Sequence, residues 1–367
     1  MNRLGVIEIL FLGFLLAGCI GQPGIGIDVS LPIGDVVQNC ISVQSTSASK
    51  FITKGTIILG DFSERMLIGN LLAFNSSYEI PVHLPNIPIY WDGKVSPDGK
   101  WFAYETVDEE AEFTSTLIVL DTYGEERFTL PKDQKWGGFY WIDNQRIEMA
   151  YGDWQNDPPS SDVVNIFTGQ RESLTPKLPN PWIPGGPSQA GLVQWKAVYD
   201  PTLTLVGYMR GEEPGQSFVL WDLQNNRSLW ELNKWSIRTI RPAWSPDGKL
   251  LAVAALNQKE DSWDRFELYL INRDGKAEKW IDLKGYYSDA TIREISWSPD
   301  GRYLVFGTIP EKPLLILDIV KKELLDYCIE SDANYASIIW APDSSQVIVP
   351  RLGYPSIILE WTYASVI

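Results

Sequence analysis

Apolar residues in this chain come in short runs, about four to eight residues long, bounded by clusters of Gly, Pro, Asn, Asp and Ser. Branched and aromatic side chains fill the runs, as in Leu117-Ile118-Val119-Leu120, Leu268-Tyr269-Leu270-Ile271 and Leu314-Leu315-Ile316-Leu317. No long stretch carries apolar residues at helical spacing, so the pattern predicts a domain that is nearly all strand.

One phrase punctuates the runs. Trp297-Ser298-Pro299-Asp300-Gly301 precedes the strand-like Arg302 to Gly307, and Trp244-Ser245-Pro246-Asp247-Gly248 precedes Lys249 to Ala254. It recurs at Ser96-Pro97-Asp98-Gly99 and, more loosely, at Trp340-Ala341-Pro342-Asp343-Ser344. Proline presets φ for a turn, aspartate bonds its own backbone, and glycine accepts the left-handed conformation that closes the bend. Each phrase predicts a β-hairpin, and these aspartates read as structural rather than catalytic. A single hairpin is marginal in water, so copies at regular spacing imply that each buries a face against the next.

A second marker repeats independently: apolar strands ending in Asp or Asn at Asp121, Asp222, Asn272 and Asp318, with weaker copies at Asn75, Asn165 and Glu360. Successive gaps run from 42 residues (Asp318 to Glu360) to 57 (Asn165 to Asp222). A period in the forties with about four strands per repeat predicts a β-propeller, whose radial closure protects sheet edges. Blades are expected near residues 51–89, 90–132, 137–176, 194–233, 240–284, 292–330 and 336–367. Seven is the favoured count and six the fallback. A parallel β-helix fits less well, because its repeats are shorter and lack paired hairpins.

The Trp-Ser-Pro-Asp-Gly phrase resembles the WD-like repeats of the TolB family of periplasmic propellers, from about Phe51 to the C-terminus. That resemblance implies the fold and leaves the function open, since such repeats serve many roles. The turns at Trp141-Ile142-Asp143-Asn144 and Tyr199-Asp200-Pro201 depart from it.

The N-terminus has another character. Arg3 and the apolar run from Gly5 to Leu15 form a targeting segment too short to span a bilayer, and Leu16-Ala17-Gly18-Cys19 resembles a bacterial lipobox. The domain plan is therefore a signal peptide over 1–18, an acylated Cys19 with a flexible tether over 19–40, and a propeller over 41–367. Each acyl methylene buried in a membrane contributes about 0.8 kcal/mol, and stable anchoring needs more than one chain. A lipid-anchored, extracytoplasmic envelope protein is the expectation. Gly and Pro with few charges over Gly21 to Gly34 suit a tether.

The net charge of −16 survives removal of the signal, because Arg3 and Glu8 cancel. Such a surface disfavours nucleic acid and anionic lipid as direct partners of the domain. Cys40 and Cys328 remain after Cys19 is acylated, and outside the cytoplasm they are a candidate disulfide that a ring would bring together. The one histidine, His83, is expected to be a strand residue. With no cysteine cluster beside it, neither a metal site nor a Cys/His pair is expected. Ser188 lacks the Gly-x-Ser-x-Gly spacing of a nucleophile elbow, and no phosphate-cradling loop appears. No cofactor and no catalytic residue are assigned.

Propeller topology turns the repeat register into two faces. Short turns within the first hairpin and between third and fourth strands share one face. Longer connections share the other, and these carry Trp154, Trp182, Glu260, Trp263, Asp264, Tyr286 and Tyr287. Aromatics beside carboxylates on loops suit a basic peptide segment or a saccharide, so this is the candidate binding face of a monomeric scaffold for a protein or carbohydrate partner. The alternative is an extracellular propeller hydrolase acting on glycans or peptides, with a pair of carboxylates near the central channel.

Overall fold

The inner hairpins of three blades are tied by the turn phrase itself. In the computed structural model Ser96, Ser245 and Ser298 each donate Oγ–H to the carboxylate two residues on, at 2.5–2.7 Å. The same oxygens accept the amide five residues on, from Trp101, Leu250 and Tyr303, at 2.8–3.0 Å. Gly99, Gly248 and Gly301 close the bend at φ of 71°, 66° and 72°. The structure describes residues 32–38, 40, 56–59, 70–75, 78–83, 94–108, 114–121, 125–132, 139–151, 160–174, 198–210, 217–233, 242–259, 262–284, 291–309, 312–331, 338–351 and 354–360.

A two-residue strand β1 (Val37–Gln38) comes first, followed by a sheet of β2 (Thr56–Leu59), β3 (Asn70–Asn75) and β4 (Tyr78–His83). The first four-stranded blade is β5 (Lys94–Val95), β6 (Trp101–Asp108), β7 (Thr114–Asp121) and β8 (Glu126–Lys132). The second is β9 (Phe139–Trp141), β10 (Arg146–Tyr151), β11 (Ser160–Asn165) and β12 (Arg171–Ser173). The third is β13 (Val198–Tyr199), β14 (Leu205–Arg210), β15 (Ser217–Asp222) and β16 (Arg227–Asn233). The fourth is β17 (Ala243–Trp244), β18 (Leu250–Lys259), β19 (Ser262–Asn272) and β20 (Ala277–Lys284). The fifth is β21 (Thr291–Trp297), β22 (Tyr303–Ile309), β23 (Lys312–Asp318) and β24 (Glu323–Ser331), with β1 added in parallel to its outer edge. A last sheet holds β25 (Ile339–Trp340), β26 (Gln346–Arg351) and β27 (Tyr354–Glu360).

The chain is thus an all-β propeller with four-stranded blades. The expected count of seven, with six in reserve, is corrected to five, because among the described residues the sheets β2–β4 and β25–β27 have three strands each. A turn phrase reports the bend between the first two strands and a polar strand end the bend after the third; neither alone reports all four strands.

The strand-end Asp and Asn residues do the same work at the outer hairpins. Asp121, Asn165, Asp222, Asn272 and Asp318 each accept backbone N–H bonds from the turn that follows, at 2.9–3.1 Å. The core lies between successive blades: Ala103, Val119 and Val164 between the first two, Phe218 and Leu251 between the third and fourth, Phe266 and Phe306 between the fourth and fifth. Trp297 and Trp340 are buried, as expected of inner-strand residues, and Trp244 is partly buried. Three indoles also cross the seams, with Trp141 donating to the carbonyl of Lys94 at 3.0 Å, Trp297 to that of Ala243 at 2.9 Å and Trp340 to Ser296 Oγ at 3.1 Å.

Residues 32–40, expected to be tether, belong to the domain from Pro32 onward. Ile33 bridges Ile281 of β20 in parallel, and Ile33 and Val36 pack against the core between the fourth and fifth blades. Burial of two aliphatic side chains outweighs the Gly and Pro composition that made this stretch read as a linker. Residues 1–31 lie outside the described residues. Cys40 and Cys328 are joined by a disulfide with their Cα atoms 4.9 Å apart.

The last sheet comes against the first four-stranded blade, β25 beside β5. A Cβ at Gly99 would sit 2.9 Å from Pro342 Cα, whereas one at Gly169, with nearly the same φ of +70°, would meet nothing within 4 Å. Gly169→Ala is therefore expected to cost only the left-handed penalty of about 1–2 kcal/mol. Gly99→Ala adds a steric clash at the seam and should cost at least about 1 kcal/mol more. Urea unfolding midpoints of the two variants measure the difference.

Candidate binding face

In an antiparallel blade the first and third connections lie at one end and the second at the other. The first end is closed by neighbour-to-neighbour bonds. Asp98 N–H donates to Asn144 Oδ1 of the next turn at 2.9 Å, and Asp300 N–H to Ser344 Oγ of the next at 3.0 Å. Arg146 reaches the carbonyl of Pro201.

The third blade's turn, which departs from the repeat phrase, has the most connected carboxylate. Asp200 takes the place of the serine and is fully buried. Its Oδ1 accepts the amides of Thr204 (2.8 Å) and Leu205 (2.6 Å), and its Oδ2 accepts the amide of Thr202 (2.9 Å) and Arg273 Nη1 (2.8 Å) from the fourth blade. Arg273 also donates to Gly248, Thr202 and Thr204. Leu203 stands where glycine stands elsewhere and still adopts φ 56°. Sequence comparison with the phrase flags this turn as degenerate; the structure shows the same bend made with donor and acceptor exchanged.

Burial acts most strongly on Asp200 and pushes its pKa up, but the bonds from Thr202, Leu205 and Arg273 together hold it below the ordinary carboxylate range. Asp318 behaves alike, with burial opposed by Arg302 and the amides of Lys321 and Val320. Among described residues the aspartates with shifted pKa, Asp200, Asp222, Asp247, Asp282 and Asp318, all shift downward. They are fixed as carboxylates, the opposite of what a general acid requires.

The other end of the blades carries the longer connections. Of the residues expected there, Trp263 and Asp264 lie in β19, while Trp154, Trp182, Glu260, Tyr286 and Tyr287 lie outside the described residues. Strands β18 and β19 have 10 and 11 residues, against 6 each for β14 and β15. Their ladder runs from Leu250 and Asn272 to Lys259 and Ser262. The ribbon is therefore about 13 Å longer than the matching strands of the third blade at ~3.3 Å per residue, and its tip extends past Arg265, the last residue of β19 paired with β20. Asn257 pairs with Arg265 and Gln258 with Trp263, so Asp264 is the bulged residue that twists the ribbon near its tip.

The base of the ribbon is braced by charges that sequence reading missed, because they alternate with apolar positions on strands that otherwise read as core. Glu267, almost wholly buried, accepts Tyr269 OH at 3.0 Å and Lys279 Nζ at 2.8 Å. Asp282 accepts Lys279 at 3.2 Å and pairs with Arg265. Burial, reinforced by Glu267, pushes the Tyr269 hydroxyl well above its ordinary range, and Arg265 holds Asp282 below its own.

Asp200 makes the acid limb of stability testable. Its folded pKa is depressed, so its contribution is complete above the unfolded value of about 3.9 and fades as pH falls through the folded value. Asp200→Asn should lose about 2 kcal/mol at neutral pH, and should then lose less than the parent protein between about pH 5 and pH 2. Urea midpoints across that range give both quantities.

No protein-family model matches the chain, and no curated protein does. Among solved structures it is similar to hydrazine synthase from Kuenenia stuttgartiensis, at 13% identity and a TM-score of 0.48 over 80% of this chain and 89% of that one. It is similar to the Cps50 (Swd1) β-propeller domain from Myceliophteria thermophila, at 14% identity and a TM-score of 0.49 over 80% and 91%. It is also similar to TolB from Acinetobacter baumannii, at 15% identity and a TM-score of 0.46 over 80% and 73%. At these identities the likeness is one of fold.

Proposed function

We propose that the protein is a lipid-tethered, extracytoplasmic binding scaffold: Cys19 holds it to a membrane, and the long-connection face of its propeller binds a protein segment or a carbohydrate. The observation that carries this reading is the asymmetry between the two ends of the blades. One end is closed turn by turn with hydrogen bonds that leave its carboxylates engaged. The other carries the overhanging β18–β19 ribbon with Trp263 near its tip. Rigid strands presenting variable connections are the usual way a fold displays a binding surface.

The direction of the N-terminal arm fits the same reading. It runs parallel to β20 and β24, and therefore from the short-turn side toward the long-connection side. Pro32 therefore stands on the short-turn side of the propeller, opposite the ribbon. The hydrolase reading has less behind it, since the carboxylates that face each other across β19 and β20, Glu267 and Asp282, lie on the outer strands of their blade rather than on the channel side and are both held by cations.

Two outcomes test the proposal. Cys19→Ser should move the protein from the membrane fraction to the soluble fraction with the circular dichroism of its strands unchanged, and mass spectrometry of the wild-type chain should find acyl groups on Cys19. Trp182→Ala with Trp263→Ala should cut recovery of the partner crosslinked in intact cells by about tenfold or more, the loss expected from removing interface aromatics.

A further inference from the structure

The arm ahead of the blades is held by few bonds. Ile33 N–H donates to the carbonyl of Trp280 at 2.8 Å and Asp282 N–H to the carbonyl of Ile33 at 3.0 Å. Val37 and Gln38 pair with Leu325 and Asp326, and Ile33 and Val36 are only partly buried. A bridge and a two-residue strand are far below the size that persists alone in water. The bond from Cys40 to Cys328, two residues beyond β1, fixes the end of the arm beside β24 and so raises the effective concentration of these contacts.

The outer strand is deformed to make that bond. Pro313 pairs with Glu330 and Leu315 with Asp326, so three residues of β24 stand opposite one of β23. Cys328, in this bulge, adopts φ 59°, and its N–H leaves the ladder to donate to Asp326 Oδ1 at 2.7 Å. A left-handed cysteine is a costly conformation that only surrounding structure maintains. Both cysteines are exposed, so a reductant has access to the sulfurs.

We propose that residues 32–40 are a strap locked by the Cys40–Cys328 disulfide, and that thiol–disulfide exchange with a dithiol reductant releases it. One thiolate of the reductant attacks a cysteine sulfur, forming a mixed disulfide and freeing the other cysteine as a thiolate. The reductant's second thiolate then displaces the remaining cysteine. Two electrons pass to the protein, each cysteine thiolate takes a proton, and the reductant leaves as its own disulfide. Released, the strap adds residues 32–40 to the chain between lipid and propeller, about 30 Å of extended backbone. Its role in setting reach rests on the lipid tether proposed above; the locking itself does not.

Hydrogen exchange on the full chain, with and without dithiothreitol and in the Cys40→Ser/Cys328→Ser double variant, tests the lock. Peptides covering 32–38 and 279–284 should exchange at least about tenfold faster once the bond is open, while 303–309 and 314–318 stay protected. Unchanged protection of 32–38 would mean that packing alone holds the arm and would overturn the proposal. Faster exchange throughout β21–β24 would also overturn it, making the bond a staple of the whole blade. Absence of acyl groups on Cys19 would remove the membrane reading while leaving this result intact.

Discussion

An oxygen at the first position of the inner turn, bonded to the amide five residues later, is the interaction on which four of the five blades depend, through Ser96, Asp200, Ser245 and Ser298. Where the oxygen is a serine hydroxyl it also donates to the next-but-one aspartate, so one side chain satisfies a buried backbone donor and orients the acid that caps the bend. With the hairpin fixed, the strand it launches points its alternate residues into the two seams that flank the blade. Ala103 and Val119 meet the second blade this way, and Phe306 meets Phe266 of the fourth. The seams hold the apolar area, but the knots determine which residues reach them.

That division of labour explains how turns with different residues give the same bend. Asp200 accepts where serine would donate, and Thr202 supplies the hydroxyl, so the polarity of the knot is reversed while its atoms stay in place. Leu203 and Ser344 adopt the left-handed conformation at 56° and 61° without being glycine. Each recovers part of the strain locally, Leu203 by packing beside Val206 and Tyr208, and Ser344 by accepting the amide of Asp300. A substitution is tolerated when the lost conformational ease is offset by a contact that glycine lacks.

Much of this was legible in the sequence because turn chemistry is local. The Pro-Asp-Gly bends, the acid at each third-strand end and the alternation of the strands all follow from residues within a few positions of one another. The partnership of Cys40 with Cys328 needed only the premise that a ring brings distant segments together. Three features were hidden, each because its partner is remote. The arm contributes Ile33 and Val36 from a stretch whose composition reads as linker, and a two-residue strand has no period to detect. Arg273 acts on Asp200 from the neighbouring blade, 73 positions away. The number of complete blades was overestimated because every local signal belongs to a single hairpin, and a sheet of three strands can display the same marked hairpin as one of four. For the candidate face the legible part was its place in the topology, set by strand order; the ribbon's length and the Asp264 bulge depend on pairing register, which composition does not reveal.

The asymmetry of the ends follows from the same constraint. At the short-turn end every blade has two pinned bends, one closed by serine or aspartate and the other by the Asp or Asn ending the third strand. An insertion there must break a knot, expose a buried amide and separate a turn from its neighbour, as at Gly248 beside Pro201 or Gly99 beside Pro342. At the other end a hairpin can be lengthened by adding residues in pairs, each new pair making its own ladder bonds, as between β18 and β19. Added length therefore costs least at that end. The ribbon's base is nevertheless held by Arg265, Glu267, Lys279 and Asp282, so the overhang starts from a rigid platform rather than from a loose loop. A surface that is free to vary at its tip and fixed at its root is the physical requirement for presenting side chains to a partner without ordering them anew at each encounter.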